Sequence, residues 1–191
     1  MPVVFTKPPD ALAGPYDDIH VQRDVQKQLD YEGELTVVIG CDAKNVQAED
    51  ALKYVLGYTS GNDFSARDYQ VPADVSGGQY SYAKSFDQFA PIGPCITSTA
   101  IIPDPQALYY ETRVNGEVKQ KTSTGDMIWT VRQIIAHLSR GTTLRKGTCI
   151  MTGTPSGVGL WMTPPQFLKH GDEVEVEIEH IGVIKNKIVF D

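Results

Sequence analysis

The stretch that decides the fold is YEGELTVVIG, residues 31–40. Its side chains alternate between two faces of an extended backbone. One face carries Leu35, Val37 and Ile39, and the other carries Glu32, Glu34, Thr36 and Val38. This period of two predicts a β-strand that Gly40 ends. Because apolar residues stand on both faces after Glu34, we expect the strand to be buried on both sides.

Two amphipathic helices are predicted downstream of this strand. Apolar residues at helical spacing predict the first over residues 48–56, with Gly57 at its C-terminal end. The second is predicted over residues 127–138. Between them, residues 58–70 are polar and favour turns, and residues 72–82 favour a loop.

The remaining sequence favours strands. Residues 108–114 and 117–121 flank Asn115-Gly116, which is typical of a type I′ hairpin. Residues 148–152 predict a short apolar strand, and two more strands are predicted over residues 173–179 and 184–190. The fold class predicted is therefore α+β, mainly β, with residues 1–191 as one domain.

Composition excludes several classes of protein. The net charge is −7 and there is no Lys/Arg-rich run, so nucleic-acid binding is not expected. No apolar run is long enough to span a membrane. The chain has three widely spaced cysteines, Cys41, Cys95 and Cys149, which predict buried free thiols and a reducing compartment.

Three carboxylates form the candidate site. Glu32 and Glu34 leave the same strand face about 7 Å apart along the backbone, a distance that a hard divalent cation can bridge. Asp63 lies further along the chain in a turn-forming segment and could supply a third ligand. The alternative remains open, because Glu173, Glu175, Glu177 and Glu179 alternate in the same way on what we interpret as a solvated strand face.

Several motifs in order carry a resemblance to a known family. Residues 31–40 and residues 57–70 (GYTSGNDFSARDYQ) resemble the two signature blocks of the fumarylacetoacetate hydrolase family. Further matches are residues 84–87 (KSFD), 113–116 (RVNG), 152–159 (TGTPSGVG) and 171–174 (GDEV). The resemblance covers essentially the whole chain and implies a mixed β-sandwich or β-roll with two short helices, usually assembled as a homodimer.

The resemblance also implies a site. Glu32, Glu34 and Asp63 match the three metal-binding carboxylates of the family, with Mg²⁺, Mn²⁺ or Ca²⁺ as the ion. The residues that match substrate-holding positions are Arg67, Gln70, Lys84 and Thr154, and we take Lys84 and Arg67 as the candidate catalytic residues. Without the motif, Lys84 could equally be a surface lysine and Arg67 the partner of Asp68.

The activity implied is metal-dependent chemistry on small 2-oxo or 1,3-dioxo acids through an enolate. The family default is C–C bond hydrolysis of the fumarylacetoacetate or acylpyruvate type. Residues 14–17 (GPYD) and 167–174 (FLKHGDEV) look most like oxaloacetate tautomerases and decarboxylases, which we keep as the alternative. A second alternative is a truncated homologue that binds metal with little activity.

That second alternative rests on the beginning of the chain. Family members carry a Gly-x-Asn-Tyr-x-x-His-x-x-Glu lid segment, and residues 1–8 resemble the stretch immediately C-terminal to that segment, so we expect the lid to be absent. None of His20, His137, His170 and His180 has the context of a replacement base. Without the lid segment, one edge of a sheet would lack a neighbouring strand. We expect the 1–30 arm or a partner chain to cover that edge. The compartment expected is the cytoplasm, or the mitochondrion where a leader precedes the chain.

Overall fold

A computed structural model describes all 191 residues. Strands dominate it, and the helices are few and short, as the sequence predicts. In chain order the strands are β1 (Leu12–Ala13), β2 (Ile19–Val21), β3 (Leu29–Asp30), β4 (Gly33–Ile39), β5 (Ala43–Lys44), β6 (Val55–Asn62), β7 (Ser65–Ala66), β8 (Ala90–Ser98), β9 (Tyr109–Val114), β10 (Glu117–Ser123), β11 (Thr143–Leu144), β12 (Cys149–Met151), β13 (Glu173–Ile178) and β14 (Gly182–Phe190). The α-helices are α1 (Arg67–Gln70), α2 (Ala73–Ser76) and α3 (Val131–Leu138). The 3-10 helices are Pro9–Ala11, Arg23–Val25, Ala48–Tyr54, Tyr82–Lys84, Thr124–Asp126 and Gly159–Trp161.

Two five-stranded sheets form the body of the molecule. The first has the order β1-β8-β6-β4-β12 and the second the order β10-β9-β13-β14-β2. Side chains of β4 and β6 pack with those of β13 and α3 in one apolar cluster, which includes Leu35, Tyr58, Ile135 and Val176. All seven residues of β4 are buried, so the prediction of a strand covered on both faces is confirmed.

The segment after β4 differs from the prediction. The helix expected over residues 48–56 is a 3-10 helix that ends at Tyr54, because the chain extends into β6 at Val55. The turns expected over residues 58–70 are wrong for residues 58–62, which form the buried central strand β6 between β4 and β8. Polar residues occupy this strand because their side chains bond to backbone groups: the Thr59 hydroxyl, for example, donates to the Gly93 carbonyl.

The later elements agree with the sequence. Strands β9 and β10 form the hairpin, with Asn115 and Gly116 at φ 51° and 79° as a type I′ turn requires. Helix α3 begins later than predicted, at Val131, because Thr130 caps it in a capping box with Gln133.

The arm of residues 1–30 covers one edge of each large sheet. Strand β1 pairs in parallel with β8, and strand β2 pairs in parallel with β14. These pairings cover two of the four sheet edges, and β12 and β10 form the other two. No helix of the structure has the length and apolar character to cross a membrane.

The prediction of buried thiols is wrong. Cys41, Cys95 and Cys149 are all exposed and none forms a disulfide. Their positions explain this: Cys41 lies just after β4, Cys149 begins the edge strand β12, and Cys95 lies in the exposed part of β8.

Candidate functional site

The start of β4 places two carboxyl side chains below the protein surface. Glu32 is 8% exposed and Glu34 is 3% exposed. Gly33 between them is required by close packing, since a Cβ atom there would lie 2.0 Å from the hydroxyl oxygen of Thr112. The Glu-Gly-Glu sequence therefore lets the second sheet approach the backbone that carries both carboxylates.

The pairing of β4 with β6 brings the third carboxylate alongside. Gly33 is opposite Asn62, and the next residue, Asp63, donates its backbone N–H to the Glu32 carbonyl at 2.9 Å. One carboxylate oxygen from each of Glu32, Glu34 and Asp63 lies within 4.8 Å of the others. The structure thus brings together the three residues that the sequence singled out as candidate metal ligands.

Lys84 lies inside this carboxylate cluster. Its Nζ donates to Glu32 Oε2 at 2.8 Å, to Asp63 Oδ2 at 2.6 Å and to the Ser65 hydroxyl at 2.8 Å. Burial by itself lowers the pKa of Lys84, but the charges of Glu32 and Asp63 outweigh it and the net pKa is raised. At 2% exposure Lys84 is not the surface lysine of the alternative interpretation.

A second lysine, which the sequence did not single out, reaches the same cluster. Lys7 Nζ donates to Asp63 Oδ1 at 2.5 Å. Burial lowers the pKa of Lys7 despite this ion pair. Its neighbour Phe5 places a ring 4.9 Å from Lys84 Nζ, a cation–π distance. In the sequence Lys7 stands in the proline-rich arm, and no periodic spacing connects it with Asp63. Its contact with the cluster could therefore not be predicted.

Arg67 begins α1 and is held by three acceptors. Its Nε donates to Asp30 Oδ2 at 2.9 Å, and its Nη1 lies 2.7 Å from Glu32 Oε1 and 2.7 Å from Gln70 Oε1. The partner is therefore Asp30 and not Asp68. Burial lowers the pKa of Arg67, but Glu32 and Asp30 outweigh it and the net pKa is raised, so the guanidinium stays charged. Gln70 touches the site through Arg67.

The glycine-rich segment 153–159 lies against the start of β4. The Gly153 N–H donates to Glu34 Oε2 at 2.6 Å, and the Thr154 hydroxyl donates to the Gly33 carbonyl at 3.1 Å and accepts from Gln120 at 2.8 Å. Thr154 therefore sits beside the carboxylate cluster and contacts the backbone of β4 instead of the acidic side chains. The Gly153 N–H is therefore already used by Glu34.

The charges of the site nearly balance. Four carboxyl groups (Asp30, Glu32, Glu34 and Asp63) lie among three cationic groups (Lys7, Arg67 and Lys84). Glu34 has no cationic partner of its own, and burial together with the charges of Asp63 and Glu32 raises its pKa well above the usual range. A carboxylate triad with one unneutralised member fits a hard divalent cation, which prefers oxygen ligands. The residues present thus fit such an ion.

The histidines lie outside this arrangement. His20 is near Asp191, 3.4 Å away, on an exposed part of the arm, His170 accepts from the Phe190 backbone, and His180 lies near Glu179. None takes part in the hydrogen bonds that hold the carboxylate cluster together.

A buried cluster of oxygen ligands at the start of a central strand defines a class of α+β proteins that can hold a hard metal ion. Comparison with known proteins identifies the family. The model of the fumarylacetoacetate (FAA) hydrolase C-terminal family matches residues 1–189. The chain belongs to this family.

Relatives of known name agree with the family. The chain is 45% identical over 187 residues to oxaloacetate tautomerase YisK of Bacillus subtilis, covering 98% of this chain and 61% of the relative. It is 43% identical over 188 residues to the mitochondrial oxaloacetate tautomerase Fahd2a of Rattus norvegicus, covering 98% of this chain and 59% of the relative. The chain thus spans about three fifths of the length of these curated relatives.

Solved structures show the same fold. A fumarylacetoacetate hydrolase from Exiguobacterium antarcticum has a TM-score of 0.92 at 43% identity, over 99% of this chain and 66% of that one. The fumarylpyruvate hydrolase from Pseudomonas aeruginosa, in complex with Mn²⁺ and pyruvate, has a TM-score of 0.88 at 28% identity, over 98% of this chain and 78% of that one. These likenesses confirm the predicted fold class and the family.

Proposed function

We propose that this chain is the catalytic domain of a divalent-metal-dependent enzyme that interconverts the keto and enol forms of oxaloacetate. The observation that carries the proposal is the buried triad Glu32, Glu34 and Asp63, with ligand oxygens within 4.8 Å of one another and cationic side chains alongside. The relatives named oxaloacetate tautomerase, at 43% and 45% identity, support the choice of reaction. Of the two activities that the resemblance implies, we therefore put oxaloacetate tautomerisation before C–C bond hydrolysis.

The triad would hold Mg²⁺, Mn²⁺ or Ca²⁺. When bound, such an ion supplies a Lewis acid for adjacent oxygens of a 2-oxo acid. The chain's own contribution is to present three carboxylates from two neighbouring strands, with Glu34 oriented by the Gly153 N–H.

The cationic side chains would hold the substrate. Oxaloacetate carries two carboxylates, and a guanidinium can bind one of them through two parallel hydrogen bonds. Arg67 uses Nε and Nη1 for Asp30, Glu32 and Gln70, which leaves Nη2 for a ligand. Lys84 supplies a second positive charge within the same cluster.

The lysines of the cluster would stabilise the enolate that lies between the keto and enol forms. Enolisation removes a proton from the C3 carbon and places one on the C2 oxygen, and ketonisation reverses both transfers. The raised pKa of Lys84 keeps its Nζ protonated, so that it stabilises negative charge developing on the substrate oxygen. Lys7, which donates to Asp63 Oδ1, adds a further positive charge beside the cluster.

The test is the rate of enol loss from oxaloacetate, monitored by ultraviolet absorbance, with Mg²⁺ or Mn²⁺ and then with chelator. We expect metal-dependent turnover in the wild type and its loss in Glu32→Ala. The matched control Glu177→Ala, which changes a glutamate on the outer face of β13, should retain the wild-type rate. Turnover that survives both chelator and Glu32→Ala would contradict the proposal.

C–C bond hydrolysis is the second candidate. It is supported by the fumarylpyruvate hydrolase with Mn²⁺ and pyruvate, whose structure has the same fold. The products separate the reactions: hydrolysis of an acylpyruvate releases pyruvate and an acid, decarboxylation of oxaloacetate releases pyruvate and CO₂, and tautomerisation releases neither. Metal binding without any of these reactions would identify the chain as a binding-competent homologue with little activity.

We also propose that the chain assembles as a homodimer. A homodimer is supported by apolar side chains left about half exposed near the β6–β8 pair, among them Leu56 and Ile96. Sedimentation at several concentrations tests it. The compartment proposed is the cytoplasm, or the mitochondrion, since the rat relative is named as mitochondrial.

A further inference from the structure

Asp30 is a buried carboxylate that the proposed chemistry does not use. It ends β3 and is 0% exposed. Oδ1 accepts from the backbone N–H groups of Tyr31 at 2.9 Å and Gly159 at 2.8 Å. Oδ2 accepts from the Leu160 N–H at 3.0 Å and from Arg67 Nε at 2.9 Å. Two oxygens thus satisfy four donors, which come from three separate segments of the chain.

One of these segments is the glycine-rich segment 153–159 together with the next residue, Leu160. We call it the segment 153–160. Its first residues bond to Glu34 and Gly33, and the Gly157 carbonyl accepts from the Tyr31 hydroxyl at 2.8 Å. Its last two residues, Gly159 and Leu160, donate their backbone N–H groups to Asp30 and to no other side chain. The approach is so close at Gly159 that a Cβ atom there would lie 2.9 Å from Asp30 Oδ1 and 1.8 Å from the Gln166 carbonyl oxygen. Asp30 therefore fixes the C-terminal end of the segment.

The other segment is α1, through Arg67. Because a guanidinium is planar, the contact of Nε with Asp30 and the contacts of Nη1 together set the direction in which Nη2 points. The remaining contacts of Arg67, to Glu32 and Gln70, both use Nη1. Asp30 is thus the only acceptor for Nε.

We propose that Asp30 is a positioning residue that couples the segment 153–160 to the guanidinium of Arg67, so that recognition of the substrate carboxylate depends on a residue outside the substrate's reach. This inference rests on the proposed role of Arg67 in holding the substrate. Coupling through one shared carboxylate is reciprocal: whatever loosens the Arg67 contact also loosens the Gly159 and Leu160 contacts.

The test variant is Asp30→Asn, which keeps the side-chain shape. Its NH₂ group must replace either Oδ1 or Oδ2, and each of these oxygens serves two donors. We expect pyruvate, used as the probe in the presence of Mn²⁺, to bind about 10-fold more weakly by calorimetry, the lower end of the effect of removing a supporting side chain. Binding of Mn²⁺ alone should be unchanged, because the three candidate ligands are intact, and a merely structural role would weaken both.

Amide hydrogen exchange gives a readout that needs no ligand. Exchange at Gly159 and Leu160 should rise in Asp30→Asn and also in Arg67→Lys, although Arg67 touches neither residue. The matched control is Asp172→Asn, which removes another carboxylate that accepts from a backbone N–H, that of Lys169 at 2.8 Å. This control should raise exchange at Lys169 and leave Gly159, Leu160 and pyruvate binding at wild-type values.

The outcomes separate the two proposals. Wild-type pyruvate affinity in Asp30→Asn, or unchanged exchange at Gly159 and Leu160 in Arg67→Lys, would overturn the role of Asp30. If Asp30→Asn does not fold, the Arg67→Lys exchange measurement decides by itself. A wild-type chain that binds neither Mn²⁺ nor pyruvate would contradict the proposed function, while the exchange measurement would still judge Asp30.

Discussion

Two strands of the molecule carry the same pattern of alternating glutamates in opposite surroundings. In one, Glu32 and Glu34 at the start of β4 are 8% and 3% exposed. In the other, Glu173, Glu175 and Glu177 of β13 point outward, and Glu177 keeps 49% of its side chain exposed. Burial raises the pKa of Glu34, whereas hydrogen bonds from Arg113 and Lys185 lower the pKa of Glu175.

The difference lies in where the counter-charges come from. On β13 they stand directly across the sheet: Glu175 is opposite both Arg113 of β9 and Lys185 of β14. At the start of β4 the residue opposite Glu34 is Gly61, and the cations arrive from the N-terminal arm, the 3-10 helix Tyr82–Lys84 and α1. Pairing between neighbouring strands thus produces the charged outer face of β13. At the start of β4, side chains from distant segments converge on the carboxylates and form the candidate site.

Removal of Glu34 should give the largest effect. Loss of a supporting residue around a metal ligand typically costs 10- to 100-fold in affinity, so Glu34→Ala should weaken Mn²⁺ binding by more than about 100-fold. Calorimetric titration with Mn²⁺ measures this. Glu175→Ala, which changes the equivalent pattern on β13, should bind Mn²⁺ as the wild type does. Equal affinities in the two variants would remove the distinction between the strands.

Removal of a counter-charge should be the next largest effect. Lys84→Met leaves Glu32 and Asp63 with one buried partner fewer, which should cost about 3–5 kcal/mol of the free energy of unfolding. Urea denaturation in chelator measures it. In Lys185→Met the freed carboxylates of Glu173 and Glu175 can turn to water, and stability should stay close to that of the wild type. A similar loss in both variants would contradict the comparison.

A smaller effect is expected for the stability that Glu175 contributes, which should depend on pH. Its folded-state pKa is lowered by Arg113 and then by Lys185, so its contribution to stability is present above the unfolded pKa of about 4.3 and is lost as the pH falls through the lowered folded value. Glu175→Gln should therefore be less stable than the wild type by about 1 kcal/mol at pH 7. Denaturation curves at several pH values should show this difference shrinking below about pH 4. A difference that persists at about pH 2 would contradict the ion-pair origin.

The smallest effect is expected for Glu177. It makes one contact, to Arg113 Nη1 at 2.8 Å, and solvent screens it. Glu177→Gln should change the free energy of unfolding by less than about 0.5 kcal/mol. A loss above that, measured by the same denaturation curves, would mean that the outer face of β13 is a cooperative network around Arg113.

Much of the fold could be predicted from local patterns. The strand β4, the β9–β10 hairpin and the C-terminal strands each carry a period of two or a turn signal that acts within a few residues. Strand β6 could not be found this way, because Thr59, Ser60 and Asn62 are polar and are buried only through neighbours on β4 and β8. The exposure of the cysteines likewise depends on strand edges that the sequence does not mark.

The residues of the candidate site were likewise predicted only in part from the sequence. The motifs indicated Glu32, Glu34 and Asp63, and the structure brings them together. Asp30 and Lys7 were missed because each acts on a partner 37 or 56 positions away, Arg67 and Asp63 respectively. A lone aspartate at the end of a short strand and a lysine among prolines have no periodic pattern that predicts such partners.

The near balance of charges at the carboxylate cluster has a consequence for how the protein matures. In small zinc domains the metal supplies the free energy of folding, so the chain has no structure until the ion arrives. Here Lys84 and Lys7 already neutralise Asp63 and Glu32 within the protein. We therefore expect the fold to form without a bound ion, and the proposed metal to bind to a chain that is already folded.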